Sequence, residues 1–261
     1  MLDEGGLLMR IVPIPAFLDN YIWAIVDDEL CVFDCVDPGD AVPVCHFART
    51  QQLDLRAVLL THHHLDHIGG VSKLLEAFPH RVVYGPHDAR MGCVTHPVGG
   101  NQILALGVYS FHILNTPGHT ATHISYYEPE EGWLFCGDTL FSAGCGRVFD
   151  GTMEQLHHSV GMFKQLPPHT KVYCAHEYTR QNLQFAKTVE PTNQAVLSYL
   201  EKQNELKSFC SLPSTVALER SINPFLRTDI PEVIRFATQH GAVSLESLEV
   251  FEILRHQKDV F

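Results

Sequence analysis

The chain has 261 residues, 45% of them apolar and 18% charged, which is enough for one large domain or a domain with a smaller partner. Its net charge of −12 disfavours nucleic acid, because a phosphate-binding surface needs a dense basic face. No apolar run is long enough to span a bilayer, so no membrane partner is expected. The first residues lack a secretory signal pattern, and either Met1 or Met9 could be the start. Eight cysteines without a CxxC pair favour reduced thiols and a cytoplasmic protein.

The first two thirds of the chain mix predicted strands with helices. Short apolar runs bounded by turn residues predict strands at 21–26, 30–33, 57–60, 81–84, 109–114, 123–127, 133–136 and 171–174. Helices are predicted at 68–78 and 153–165. This order of elements predicts an α/β (α+β) fold, a two-sheet sandwich flanked by helices.

Beyond Tyr178 the strand signals stop and only helices are predicted. They lie at residues 180–188, 192–208, 231–240 and 245–258. Gly241 fits the C-terminal position of the third of these helices, and Ser244 fits the N-cap of the last. We therefore predict a catalytic domain over residues 1–178 and a helical domain over residues 179–261.

Four ligand-type side chains lie within six residues, directly after the buried strand at 57–60. They are His62, His64, Asp66 and His67, and imidazole and carboxylate suit Zn²⁺, Fe²⁺ or Mn²⁺. His62 and His64 can converge on one ion, whereas Asp66 and His67 begin the next helix and can hold a second. The alternative is a His-rich surface loop that binds adventitious metal.

Three later segments repeat this arrangement, and this argues against the surface loop. His119, Asp138 and His176 each follow a strand and are flanked by small residues, which let the backbone approach a crowded centre. His63 and Leu65 are expected to point outward. Asp37 follows a strand as well; it either orients a metal ligand or is an ordinary turn aspartate.

The segments THHHLDH, TPGHT, GDT and AHEY together resemble the metallo-β-lactamase superfamily. The resemblance implies an αββα sandwich that holds two divalent metal ions per chain, zinc first and iron or manganese as alternatives. It implies one ion on His62, His64 and His119, the second on Asp66, His67 and His176, and Asp138 as a bridge. Asp66 and Asp138 are thereby the predicted catalytic carboxylates.

Further segments resemble one family within this superfamily, glyoxalase II, the hydroxyacylglutathione hydrolases. They are residues 14–23, 140–147, 176–178, 223–227 and 258–261. The resemblance implies hydrolysis of S-D-lactoylglutathione and related thioesters to D-lactate and glutathione by a metal-bridging hydroxide. This reaction is the second step of methylglyoxal detoxification, and we expect a monomer to carry it out.

The same resemblance implies that basic and tyrosyl groups hold glutathione, at the matching positions Arg147, Tyr178, Arg255 and Lys258. Arg255 and Lys258 are three residues apart on the last predicted helix and share a face. Alternatively, they merely complement the C-terminus of that helix. Two residues depart from the family pattern: Arg147 replaces a frequent Lys, and Phe149 replaces a frequent Tyr.

Two other functions compete with thioester hydrolysis. A persulfide dioxygenase of the same superfamily needs a single iron with two His and one carboxylate, so the complete second ligand set argues against it. Another hydrolase of this fold is also possible, because many chemistries share the site.

Overall fold

The computed structural model describes residues 9–205 and 210–261. The chain divides into two compact units, of which the first ends at Gly99 and the second runs from Gly100 to Phe261. The predicted domain boundary after residue 178 stays a prediction. The features expected before residue 9, and residues 206–208 of the predicted helix 192–208, lie outside the described residues.

The first unit is built on a six-stranded mixed sheet. Its strands, in sheet order, are β1 (Met9–Ala16), β2 (Asn20–Asp27), β3 (Val32–Val36), β4 (Asp54–Leu59), β5 (Val82–Gly85) and β6 (His96–Pro97). The first three are antiparallel neighbours, and β3 to β6 run parallel. The helices are α1 (Ala41–Gln51), α2 (Leu65–Ile68) and α3 (Val71–Ala77). Side chains of α1 and α3, including Val44 and Leu74, join the buried core of this sheet.

Helix α1 was missing from the prediction. Its first turn carries Pro43 and β-branched residues, which lower helix propensity, but a proline in the first turn costs no hydrogen bond. Asp40 caps the helix by accepting from the Val42 N–H at 2.9 Å. The predicted helix at 68–78 is two short helices, because Gly69 and Gly70 separate α2 from α3.

The second unit contains another six-stranded mixed sheet. Its strands, in sheet order, are β14 (Ser214–Thr215), β13 (Lys171–Cys174), β10 (Trp133–Gly137), β9 (Ile124–Glu128), β8 (Tyr109–Asn115) and β7 (Ile103–Leu106). A small hairpin, β11 (Leu140–Phe141) and β12 (Gly144–Cys145), stands apart. Strand β14 corrects the prediction of helices only beyond Tyr178: it pairs with β13, and two residues are too short to show an alternating pattern.

The helices of the second unit lie mostly after its sheet strands. They are α4 (Met153–Lys164), α5 (Thr179–Val189), α6 (Gln194–Glu205), α7 (Val216–Ile222), α8 (Pro231–Gln239) and α9 (Ser247–Asp259), with a 3₁₀ turn at Pro224–Leu226. Gly241 follows α8 with φ of +106°, as its predicted C-terminal role requires. The prediction of Ser244 as N-cap was wrong: Glu246 holds that position, and Ser244 donates to Glu249 at 2.5 Å.

Candidate metal centre and adjoining cavity

In the first unit, the candidate ligands leave the sheet at the carboxyl edge of two neighbouring parallel strands. Asp37 follows β3, and Thr61 and His62 follow β4. His62 Nε2 lies 3.0 Å from His64 Nδ1, and His67 Nε2 lies 3.4 Å from Asp66 Oδ2. The predicted pairs of ligand atoms therefore converge within this unit.

Asp37 orients the ligands of the first unit. Its carboxylate accepts the N–H of Thr61 at 2.8 Å, the hydroxyl of Thr61 at 2.7 Å and Nδ1–H of His67 at 3.0 Å. The bond to Nδ1 turns Nε2 of His67 toward Asp66. On the other side, Asn20 donates to Asp66 Oδ2 at 3.1 Å. These contacts support a role for Asp37 in orienting a candidate metal ligand, and not that of an ordinary turn aspartate.

Of the two residues expected to point outward, Leu65 does so, whereas the His63 side chain is only 16% exposed. Leu65 is 78% exposed. Nδ1 of His63 lies 3.9 Å from the Asp88 carboxylate, and its ring lies 4.8 Å from that of His64. His63 contributes no atom to the donor pairs described above, so it serves as a control position beside the candidate ligands.

In the second unit, Asp138 follows β10 and His176 follows the neighbouring parallel strand β13. Asp138 lies between two imidazoles, with Oδ2 3.4 Å from His119 Nε2 and Oδ1 3.4 Å from His176 Nε2. Each imidazole therefore has one oxygen of this carboxylate beside it, as expected if a metal ion were bound next to each ring. His119 is fixed by Nδ1–H, which donates to the Arg147 carbonyl at 2.8 Å.

Two glycines permit this close packing. A Cβ on Gly118, whose φ is +140°, would lie 2.4 Å from the backbone of Leu156. A Cβ on Gly146 would lie 2.0 Å from the Asp138 carbonyl and 3.1 Å from His119 Nδ1. Any larger side chain at these positions would displace the ligands.

The donor set of each unit fits a divalent metal ion. Tetrahedral zinc with ligands at about 2.0–2.1 Å places neighbouring ligand atoms about 3.3 Å apart, close to the 3.4 Å found at Asp66 and Asp138. The rings of His62 and His67 lie 4.1 Å apart, so the two sets adjoin within the first unit. Two adjoining sets in the first unit support a binuclear divalent metal centre.

The four predicted glutathione-binding residues line a single cavity of about 270 Å³ in the second unit. We call it the cationic cavity; Phe141, Cys145, Arg147, Tyr178, Gln181, Asn182, Arg255, Lys258, Asp259 and Phe261 line it. The Tyr178 ring stacks on His176 at 4.9 Å. The cavity therefore adjoins a candidate metal ligand.

The two basic residues of α9 have different environments. Arg255 is only 3% exposed and donates to the Cys145 carbonyl at 2.8 Å and to the Asp259 carboxylate at 3.0 Å, so it supports the cavity wall. Lys258 is half-buried, with its ammonium over the rings of Phe185 and Phe261. Burial, then repulsion by Arg255 and Arg147, lowers the pKa of Lys258 to about 8.

A buried network that the sequence analysis missed holds the loop after Asp138. Glu219 is fully buried and accepts from the Ser142 hydroxyl at 2.9 Å, the Ala143 N–H at 2.8 Å and the Asn223 amide at 3.0 Å. Asn223 also donates to the Gly144 carbonyl at 3.0 Å. Burial raises the pKa of Glu219. Ser142, Ala143 and Gly144 lie in the motif 140–147, but nothing local in the sequence points to Glu219.

Strand order and ligand arrangement define the class of protein: a family model described as "Metallo-beta-lactamase superfamily" matches residues 18–176. A second model, "Hydroxyacylglutathione hydrolase C-terminus", matches residues 177–261. The chain belongs to the hydroxyacylglutathione hydrolases. The predicted family and the metallo-β-lactamase fold with a C-terminal helical domain are confirmed.

Individual proteins agree with the family models. A hydroxyacylglutathione hydrolase of Legionella pneumophila (strain Corby) is 60% identical over 253 residues, 97% of this chain and 100% of the relative. The crystal structure of the BLEG-1 B3 metallo-beta-lactamase matches with a TM-score of 0.63 at 24% identity, over 84% of this chain and 99% of that one. TTHA1623 in a di-iron-bound form matches with a TM-score of 0.57 at 25% identity, over 83% and 100%.

Proposed function

We propose that this chain hydrolyses S-D-lactoylglutathione and related S-2-hydroxyacylglutathiones to the hydroxy acid and glutathione, the second step of methylglyoxal detoxification, at a binuclear zinc centre. As a member of the hydroxyacylglutathione hydrolases, the chain is a thioester hydrolase. The observation that supports the specific substrate is the cationic cavity. Its side chains Arg147, Tyr178 and Lys258 suit the carboxylates of a peptide, and the Tyr178 ring stacks on His176.

The proposed ligand sets are those that the family resemblance implies. One ion would be held by His62, His64 and His119 and the other by Asp66, His67 and His176, with Asp138 shared between them. Support comes from the convergence of donor atoms within each unit and from a single family model whose match includes all seven residues. Of the related structures, that of TTHA1623 is described as di-iron-bound; the all-N/O donor set of this chain also suits zinc or manganese.

The residues of the chain have separate tasks in this reaction. When bound, two divalent ions would supply a water of lowered pKa and polarise the thioester carbonyl. Asp37 and the Arg147 carbonyl fix the imidazoles of His67 and His119, so that their Nε2 atoms keep their direction during turnover. The cationic cavity would bind the peptide part of the substrate and so position the thioester for reaction at the metal centre.

The cellular setting is also part of the proposal. None of the eight cysteines forms a disulfide in the structure, which supports a reducing compartment such as the cytoplasm. In the described residues, no helix is both long and apolar enough to cross a membrane. We propose that the chain acts there as a monomer.

The test combines metal analysis with turnover of S-D-lactoylglutathione. The parent should hold about two ions per chain, as a two-metal site requires. Asp138→Ala should lose metal and nearly all turnover while its circular dichroism spectrum is kept. His63→Ala is the matched control and should match the parent in both measurements. A parent that is fully active with one ion, or a His63→Ala as damaged as His64→Ala, contradicts the ligand assignment.

A further inference from the structure

His123 is a buried histidine that the proposed reaction does not use. It is 1% exposed and stands directly before Ile124, the first residue of β9. Its Nε2 accepts the backbone N–H of Asp138 at 3.3 Å, and its Nδ1 lies 2.9 Å from Oγ1 of Thr116. The imidazole thus connects the start of β9 with the segments that follow β8 and β10.

The backbone of Asp138 lies where β10 leaves its sheet. The antiparallel pairs of β9 and β10 end at Phe135 with Tyr126, and the register with β13 shifts between Phe135 and Gly137. Gly137 has φ of +47°, a conformation that favours glycine and turns the chain away from the strand. A buried N–H needs an acceptor, and here the side chain of His123 accepts where a strand carbonyl no longer does.

This hydrogen bond determines which ring nitrogen carries the proton. A peptide N–H can only donate, so Nε2 of His123 offers its lone pair and the neutral ring carries its hydrogen on Nδ1. Nδ1–H then donates to Oγ1 of Thr116, or to Oγ1 of Thr139 at 3.2 Å. The network continues to Ser125, whose Oγ lies 2.9 Å from Oγ1 of Thr116. Both nitrogens of the ring are therefore held, and the ring cannot turn without losing a bond on each side.

The carboxylate of Asp138 is the group that this arrangement can fix. Its two oxygens lie 3.4 Å from Nε2 of His119 and 3.4 Å from Nε2 of His176, and their direction depends on the backbone that carries them. We propose that His123 is a positioning residue: as its Nδ1–H tautomer, it holds the backbone of Asp138 and so keeps the carboxylate between the two imidazoles. This inference rests on the proposed function, in which Asp138 is the ligand shared by two ions.

The alternative is that His123 only stabilises the fold as a core histidine with satisfied hydrogen bonds. Two amide variants separate these roles, because each amide can replace one ring nitrogen. The amide nitrogen of His123→Asn lies near the place of Nδ1 and can donate to Thr116, but the side chain is too short to reach Asp138. The carbonyl oxygen of His123→Gln reaches the place of Nε2 and can accept from the Asp138 N–H.

The experiment measures the affinity for Zn²⁺ in competition with a chelator, together with kcat and KM for S-D-lactoylglutathione. His123→Asn should lower the zinc affinity about tenfold or more, as loss of a group that orients a ligand does. It should also lower kcat with little change in KM, because the cationic cavity is left intact. His123→Gln should restore most of both quantities.

Ser125→Ala is the matched control, because it removes one hydrogen bond from the same buried network without touching His123 or Asp138. It should keep the zinc affinity and kcat of the parent even if urea unfolds it more easily. The inference is overturned if His123→Asn keeps the zinc affinity, if His123→Gln is equally damaged, or if Ser125→Ala loses as much zinc affinity as His123→Asn.

A second measurement uses the parent and decides even if His123→Asn does not fold. Long-range ¹H–¹⁵N NMR spectra of the metal-free parent should show His123 as the Nδ1–H tautomer, with its signals assigned by their absence in His123→Gln. An Nε2–H tautomer overturns the inference. A parent that shows the tautomer and the difference in zinc affinity but does not turn over S-D-lactoylglutathione contradicts the proposed substrate and supports the role of His123.

Discussion

The lowered pKa of Lys258 predicts how substrate binding depends on pH. With a pKa of about 8 instead of 10.5, Lys258 loses its charge as the pH rises through the range in which an ordinary lysine stays protonated. A hydrogen bond to a charged group contributes about 1.5–3 kcal/mol; because Lys258 is half-buried, we take about 1.4 kcal/mol, which is tenfold in affinity. The KM for S-D-lactoylglutathione should therefore rise about tenfold between about pH 6.5 and pH 9.5.

Two variants separate Lys258 from every other titrating group, including the ammonium of the substrate. Lys258→Arg stays charged throughout and should lose most of the rise in KM. Lys258→Met should have a high KM at both ends of the range. The kcat should change little, because ground state and transition state share this contact. The reasoning is refuted if KM rises equally with pH in the parent and in Lys258→Arg.

The same pKa has a consequence for stability, and its sign is opposite to the effect on binding. The unfolded chain keeps the lysine proton up to about pH 10.5, whereas the folded chain releases it near pH 8. The unfolded state thus binds more protons in this window, and the free energy of unfolding contributed by Lys258 rises with pH there. Lys258→Met removes a half-buried charge at neutral pH, so its melting temperature at about pH 7 should equal or exceed that of the parent.

Three further predictions concern the supports of the site. Asp37→Ala should lower the affinity for one of the two metal ions by about 10- to 100-fold, measured in competition with a chelator, because His67 loses its Nδ1 partner. An unchanged metal affinity would show that Asp37 is not an orienting residue. Glu219→Ala should lower the free energy of unfolding by about 3 kcal/mol in urea titration, since it leaves buried donors unsatisfied; a loss under about 1 kcal/mol would contradict the network. Phe149→Tyr should lower KM about threefold through one added hydrogen bond, and an unchanged KM would place residue 149 outside the substrate site.

The candidate ligands could be predicted from the sequence because each segment that carries them follows a predicted strand. A strand of four or five apolar residues is a local pattern, and the residue that follows it lies at an edge of its sheet. This holds for His62 after β4 and for Asp138 after β10. The family resemblance rested on equally local segments, and it implied Arg255 and Lys258, which helix spacing separately places on one face.

Other parts of the site depend on residues far apart in the chain. Arg255 contacts Cys145 across 110 positions, and Glu219 contacts Ser142 across 77; no local pattern links such pairs. The role of Asp37 was open for the same reason, since only the neighbouring positions of β3 and β4 in the sheet bring it to His67. The sequence by itself indicated which side chains are of the types that bind metal and carboxylates. The tertiary structure decided which of them are buried, oriented and paired, because burial and pairing arise only when distant segments pack together.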